Sequence, residues 1–115
     1  MFPWNAEKIL KESSPEKTSA LGEIAIEIYE KFKRGEITAE KALQLLDECL
    51  RRVNNLEKNL RSISQYCCRG DARIFEEPYR KNNISKICEQ AWINLQSLQI
   101  AKSKIRNVIY YIAKE

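Results

Sequence analysis

Thirty-one consecutive residues, from Ala39 to Arg69, contain neither glycine nor proline, and this uninterrupted stretch limits what the chain can fold into. Its apolar and small residues recur in alternating steps of four and three, the period of a helix that packs along another helix. These positions are Ala42, Leu46, Cys49, Val53, Leu56, Leu60, Ile63 and Cys67. The spacing predicts one long helix of about 45 Å, at a rise of about 1.5 Å per residue.

The residues at both ends of this stretch fit the termini of a helix. Thr38 is a favourable N-cap, and Ile37 before it can contact Ala42 as a hydrophobic staple. Gly70 follows Arg69, at the position where a glycine commonly ends a helix in the left-handed conformation. The sequence therefore predicts a helix that begins at Ala39 and ends at Arg69.

Similar patterns predict a short helix over residues 2–11 and a second helix over residues 15–34. The apolar face of the second helix comprises Leu21, Ile24, Ala25, Ile28 and Phe32. Gly35 ends this helix, and the short connection from Gly35 to Thr38 forces an antiparallel hairpin with the long helix.

A last helix is predicted from Asn83, as its N-cap, nearly to Glu115. Its stripe again follows steps of four and three, and one of its members is charged. The stripe comprises Ile84, Cys88, Ala91, Leu95, Leu98, Lys102, Ile105, Ile109 and Ile112.

Together these elements predict an all-α fold, an antiparallel helical hairpin plus a long C-terminal helix, in a single domain of residues 1–115. The seams over residues 39–69 and 84–114 are long for a chain whose compact form has a radius of gyration of about 13 Å. On that argument one chain cannot cover them. A second copy is the simplest source of the missing surface, so the sequence predicts a homodimeric helical bundle.

The composition limits the classes of function. The sequence has no histidine, which excludes imidazole catalysis and histidine metal ligands. The net charge is +4, from 20 basic and 16 acidic residues, with no block of five like charges, so nucleic-acid binding is not predicted. No apolar run is long enough to span a membrane, and the N-terminus lacks a signal-peptide pattern.

Four cysteines occur, at positions 49, 67, 68 and 88. Cys49, Cys67 and Cys88 fall at apolar helical positions, where a reduced cysteine acts as a small hydrophobe. No pair has the two-residue gap of a zinc or redox motif, and adjacent Cys67 and Cys68 point about 100° apart on a helix. We therefore expect reduced cysteines and a reducing compartment, most simply the cytoplasm. The alternative is a redox sensor at the adjacent pair.

Oxygen-bearing side chains line the hairpin, and they are candidates for a metal site. Glu23, Glu27 and Glu30 share one face of the second helix, and Gln44 and Asp47 share a face of the long helix. Both helices rise equally from the turn, so Glu27 lies level with Asp47 and Glu30 with Gln44. Such oxygen ligands suit Mg²⁺, and the hypothesis is a magnesium site at which three or four oxygen ligands from these five candidate residues converge. The alternative is a solvated face whose carboxylates pair with nearby lysines and arginines.

The segment from Ala20 to Ala25 (Ala-Leu-Gly-Glu-Ile-Ala) is followed about twenty residues later by Gln-Leu-Leu-Asp at residues 44–47. Over residues 15–60 this resembles the two motif helices of the MazG-like all-α nucleoside triphosphate pyrophosphatases. Members carry Glu-Glu-x-x-Glu on one helix and Glu-x-x-Asp on the next, and these bind Mg²⁺ and the triphosphate in dimers or tetramers. The resemblance implies that Glu23 is the last glutamate of the first motif and Asp47 the aspartate of the second.

The chain departs from this motif at three positions. Ser19 and Ala20 replace the two leading glutamates, and Gln44 replaces the glutamate of the second motif. A frame shifted forward instead matches Glu27 and Glu30. The resemblance implies a Mg²⁺-dependent NTP or dNTP pyrophosphohydrolase, or a non-catalytic relative with a partial carboxylate set. The alternative is a non-enzymatic helical interaction module or a subunit of a larger assembly.

Four basic residues are candidates for neutralising the phosphates of a nucleotide: Arg69, Arg73, Arg80 and Lys102. Three of them belong to residues 69–83, where basic side chains alternate with Phe75 and Tyr79. Such mixtures bind phosphates and stack on bases. The alternative is an exposed loop anchored by its aromatic residues, and Pro78 predicts that no continuous helix passes through it.

Overall fold

The computed structural model describes residues 5–68 and 78–115, with side chains for all of these except Tyr66, Cys68 and residues 78–85. Four α-helices make up this part of the chain: α1 (Ala6–Glu12), α2 (Pro15–Lys33), α3 (Ala39–Cys68) and α4 (Pro78–Lys114). The described residues contain no β-strand. The prediction of an all-α fold, with an antiparallel α2–α3 hairpin followed by a long C-terminal helix, is confirmed. The bundle is elongated, at 59 × 20 × 18 Å.

Side-chain oxygens cap the first three helices. Asn5, Ser14 and Thr38 each accept a hydrogen bond from the backbone N–H three residues further on, at 3.1, 3.4 and 3.1 Å. The predicted N-cap of α3 is thus confirmed. The predicted start of α4 at Asn83 is wrong, because the helix begins at Pro78, and proline is well tolerated in the first turn of a helix.

One glycine sets the turn between α2 and α3. Gly35 has a φ of 76°, in the left-handed region that favours glycine. Its N–H donates to the Phe32 carbonyl at 3.0 Å, and the Glu36 N–H donates to the Lys31 carbonyl at 2.9 Å. These two bonds form a Schellman motif, so the predicted end of α2 is confirmed to within one residue. The predicted stop of α3 at Gly70 lies outside the described residues.

The predicted seam of α3 forms the centre of the core. Ala42, Leu46, Val53, Leu60 and Ile63 are fully buried, while Cys49 is nearly so and Leu56 and Cys67 are half-buried. The argument that one chain cannot cover this seam is wrong, because α4 packs along α3 and α1 covers part of it beyond the N-terminus of α2. A homodimer stays a prediction, and it needs a different surface.

Helix α4 is buried on a wider face than the sequence predicted, because it packs against both α2 and α3. Besides Cys88, three members of the predicted stripe are half-buried, and the residue before each of these three is buried. The half-buried ones are Leu95, Lys102 and Ile109, and the buried ones are Asn94, Ala101 and Val108. The Lys102 side contacts α3, and the Ala101 side contacts α2.

Small residues let α2 and α4 approach closely. Gly22 and Ala25 of α2 are buried, as is Ala101 of α4. A Cβ atom added at Gly22 would lie 3.1 Å from Lys104 Cδ and 3.7 Å from Ala101 Cα. Gly22 belongs to the segment on which the resemblance to the pyrophosphatases rests, and this close helix contact is a structural reason for a glycine there.

Three buried polar residues hold the α1–α2 junction against α4: Ser13, Thr18 and Asn94. The Asn94 Nδ2 atom donates to the Leu10 carbonyl at 3.0 Å and to Ser13 Oγ at 3.3 Å. The hydroxyls of Thr18 and Ser97 form a hydrogen bond of 2.6 Å. These bonds satisfy the buried side chains and one carbonyl in the last turn of α1, which has no partner within its own helix.

Replacing Asn94 with alanine should lower the free energy of unfolding by about 1–3 kcal/mol, because the half-buried Leu10 carbonyl loses its donor and the buried Ser13 hydroxyl keeps the Ile9 carbonyl alone. Urea denaturation followed by circular dichroism measures this change. The exposed Asn55→Ala variant is the matched control and should change stability by less than about 0.5 kcal/mol. Equal effects of the two substitutions would contradict a stabilising role for the buried network.

A disulfide joins Cys67 in the last turn of α3 to Cys88 of α4, with their Cα atoms 6.0 Å apart. The prediction that these two cysteines are reduced is therefore wrong. It treated each helix separately, whereas the antiparallel packing of α3 and α4 brings the two seam positions together. Cys49 is free and buried, as predicted, and burial raises the pKa of its thiol. The cytoplasmic location rested on reduced cysteines, so it stays a prediction without that support.

Reducing the Cys67–Cys88 disulfide should lower the free energy of unfolding by about 3 kcal/mol, because the cross-link restricts the unfolded chain across a separation of 21 residues. Urea midpoints with and without dithiothreitol measure this loss. The double variant Cys67→Ser/Cys88→Ser should have the midpoint of the reduced wild type, both with and without dithiothreitol. A wild-type urea midpoint that is the same with and without dithiothreitol would contradict the presence of the disulfide.

Candidate functional site

The five predicted metal ligands are all exposed: Glu23, Glu27, Glu30, Gln44 and Asp47. Within residues 5–68 and 78–115, no three cysteine, aspartate or glutamate side chains are grouped so that they could hold a metal ion. The exposure of the five agrees with the alternative of a solvated face. The magnesium site stays a prediction that the contacts of the fold do not support.

Along the length of the bundle Asp47 lies level with α2, but its side of α3 is not the side that faces α2. The edge of α3 that faces α2 carries Arg52 and Leu56, which line a groove together with Ile24 of α2. At about 100° per residue, Asp47 is about 140° from Arg52 around the helix. The carboxylate of Asp47 lies 3.2 Å from Nε of Arg51, one turn further along α3. Being level along the two helices therefore does not bring Asp47 to the glutamates of α2.

The groove between α2 and α3 is shallow and open. Ile24, predicted to be in the core, is 38% exposed at this edge, so that prediction is wrong. The side chains that line the groove are a mixture of apolar, polar, basic and acidic groups, and this mixture indicates no particular ligand. They are Glu12, Lys17, Ala20, Leu21, Ile24, Arg52, Asn55 and Leu56.

The predicted phosphate-binding residues divide into two groups. Arg69 and Arg73 lie outside the described residues, and Arg80 lies in the first turn of α4, where side chains are not described. Lys102 is half-buried, and its Nζ atom lies 3.2 Å from a carboxylate oxygen of Glu57. Lys102 thus takes part in the contact between α3 and α4.

Glu57 is the polar centre of that contact, with a side chain that is 15% exposed. It accepts hydrogen bonds from Gln99 Nε2 at 2.8 Å, Lys102 Nζ at 3.2 Å and Arg61 Nε at 3.3 Å. Burial alone would raise the pKa of Glu57, but the three donors together lower it below its ordinary value. The sequence shows Lys102 as the one charge in an apolar stripe, but nothing in it indicates that the partner is Glu57 on another helix.

Replacing Glu57 with glutamine should cost about 1–3 kcal/mol of stability at neutral pH, because hydrogen bonds to a charged acceptor are lost. A lowered pKa means that the carboxylate stabilises the fold above its ordinary pKa of about 4.3. This contribution disappears as the pH falls through the lower pKa of the folded state. Urea denaturation of both proteins from neutral to acid pH should show the difference shrinking below about pH 4. A difference that is constant across this range would contradict the assignment.

The solvent-facing side of α4 carries large apolar side chains. Trp92, Ile93, Ile100, Tyr110 and Tyr111 are 60, 39, 62, 62 and 54% exposed. With the three polar residues between them they lie opposite the buried side of the helix. We define this outer face of α4 as Trp92, Ile93, Gln96, Ile100, Ser103, Asn107, Tyr110 and Tyr111, all of which are exposed and uncharged.

The solvent-facing side of α3 is different. Most of its exposed residues are charged, and the exposed side chains of Asp47 and Arg51, one turn apart, form an ion pair. This is the usual pattern of a solvated helix. A contiguous uncharged face with exposed aromatic residues is instead typical of a surface that binds another molecule. The outer face of α4 is therefore the candidate functional site.

Comparison with protein-family models, curated proteins and solved structures finds no match for this chain.

Proposed function

We propose that this chain is a non-enzymatic helical interaction module, a subunit of a larger assembly that binds another protein through the outer face of α4. The observation that carries the proposal is the row of five exposed apolar side chains from Trp92 to Tyr111, with no charged residue among the eight that define this face. These side chains lie outside the buried core, so their burial against a partner adds apolar contact that folding of one chain does not supply.

The way α4 is held supports this role. One side of the helix is packed against α2 and α3, and the Asn94 hydrogen bonds, the Glu57 contacts and the Cys67–Cys88 disulfide fix it to the other helices. The outer face is thus presented on a rigid element. A rigid helix loses little conformational freedom when it binds, which favours recognition along its length. The homodimer that the sequence predicts is one form of such an assembly.

A Mg²⁺-dependent nucleotide pyrophosphohydrolase is the second candidate. The exposed row of Glu23, Glu27 and Glu30 on α2 and the resemblance described above favour it. In this alternative the carboxylates bind Mg²⁺ and the metal activates the attacking water. Nucleoside triphosphates are the substrates to test.

Replacing Ile100 with lysine should abolish the interaction, because a charge would be buried in the centre of the outer face. We expect the wild-type protein, tagged and expressed in its source cells, to retain a companion chain in stoichiometric amount. The Ile100→Lys variant should retain at least about tenfold less, judged by quantitative mass spectrometry. The control is Asn54→Lys, which adds the same side chain at an exposed position of α3 and should behave as wild type.

Two results would contradict the proposed function. One is an identical set of retained proteins for the wild type and both variants. The other is release of phosphate from nucleoside triphosphates, in the presence of Mg²⁺ and inorganic pyrophosphatase, that is lost in Glu27→Gln and kept in Ile100→Lys. The second result would favour the pyrophosphohydrolase.

A further inference from the structure

The exposed side of α4 carries a second series of positions with the period of a helix pair. From Glu89 to Lys114 they recur in steps of four and three, as in the buried seams. All eight are exposed, and charges occur at the two ends alone. The positions of this outer seam are Glu89, Ile93, Gln96, Ile100, Ser103, Asn107, Tyr110 and Lys114. Helix α4 thus has two seams on opposite sides, one of which is buried within the chain.

The spacing of the outer seam is the same in both directions along the helix, so the seam can pair with an antiparallel copy of itself. In an antiparallel pair of α4 helices whose two-fold axis is level with the bond between Ala101 and Lys102, residues whose numbers add up to 203 lie level. Every position of the outer seam then meets another position of the seam, which is the alternation that an antiparallel helix pair requires. The level pairs are Glu89 with Lys114, Ile93 with Tyr110, Gln96 with Asn107, and Ile100 with Ser103.

The charges favour the antiparallel orientation. An antiparallel pair brings Glu89 of each copy to Lys114 of the other, so both ends of the seam carry opposite charges. A parallel pair would place Glu89 against Glu89 and Lys114 against Lys114, and both contacts would be repulsive. The same charges therefore attract in one orientation and repel in the other.

Between its two ends, the flanks of the seam bring no like charges together in the antiparallel orientation. Lys104 lies nearest Ser97 of the second copy, and Arg106 lies nearest its Gln99. In the interior of the seam, the amide side chains of Gln96 and Asn107 are level and can form a hydrogen bond, and such polar layers fix the register of a helix pair. Next to the two-fold axis, the small Ser103 leaves room for Ile100.

We propose that the outer face of α4 binds the same face of a second copy of this chain, antiparallel, with the two-fold axis level with the bond between Ala101 and Lys102. The inference rests on the proposed function and names its partner. A two-fold pair uses one patch twice and closes on itself, so it buries the exposed aromatic residues of both copies in a single contact. The seam from Glu89 to Lys114 is about 38 Å long at about 1.5 Å per residue.

Sedimentation equilibrium of the purified protein between about 1 and 100 µM tests whether the second copy is the partner. We expect a dimer for the wild type and for Asn54→Lys. Ile100→Lys should weaken the dimer at least about a hundredfold, because it places two like charges beside the axis. Circular dichroism confirms that each variant is folded.

Charge reversal tests the orientation. Glu89→Lys and Lys114→Glu should each weaken the dimer by about tenfold, because each converts two attractive contacts into repulsive ones. The double variant should recover wild-type affinity. Single variants that are as tight as wild type, or a double variant that is no tighter than the singles, would overturn the antiparallel register.

A wild-type protein that is monomeric throughout this range would overturn the inference as a whole. If that monomer still retains a different protein through Ile100, the proposed function stands and its partner is that other protein. If neither a second copy nor another protein binds, both proposals fail.

Discussion

The burial of α4 between α2 and α3 is the contact on which the rest of the bundle depends. Its buried side is wide enough to serve two neighbours, with Ala91, Leu98, Ile105 and Ile112 along the middle. One flank reaches α3 through Lys102, and the other reaches α2 through Ala101. Because α3 and α4 are antiparallel and long, they cover each other well beyond the end of α2, and the molecule reaches 59 Å without a second chain.

Hydrophobic periodicity predicted the helices well, and it predicted their neighbours less well. Steps of four and three identified most of the buried residues of α3, because leucine, isoleucine and valine carry a strong signal. The same signal missed the side of α4 that faces α1 and α2, where the buried residues include Asn94 and Ala101. A buried amide and a small residue have no apolar signature in the sequence, and their burial follows from what the neighbouring helix presents. The disulfide was missed for the same reason, since it joins seams on two different helices.

The candidate site shows the same limit. The level of Asp47 relative to α2 could be predicted from equal rise along both helices, but the side of α3 that it occupies depends on how the three helices are arranged. Lys102 was recognised as an anomaly in an apolar stripe, but its partner Glu57 was not, because they are 45 residues apart. The outer face of α4 could have been identified from the sequence. Its signal was the absence of charge at every seam position between Glu89 and Lys114, in a chain of which 31% is charged.

A purely solvated helix would not need such a face. On α3, exposed charged residues one turn apart pair with each other, as Arg51 does with Asp47, and such pairs stabilise a helix while keeping it hydrated. Tryptophan and isoleucine form no such ion pairs, and tyrosine, tryptophan and isoleucine have lower helix propensity than lysine, glutamate or arginine. Both helices belong to one chain and meet the same solvent, so α3 is an internal comparison for α4. Hydration of the exposed side of α3 and binding of protein by the outer face of α4 would explain the difference in composition between these two surfaces.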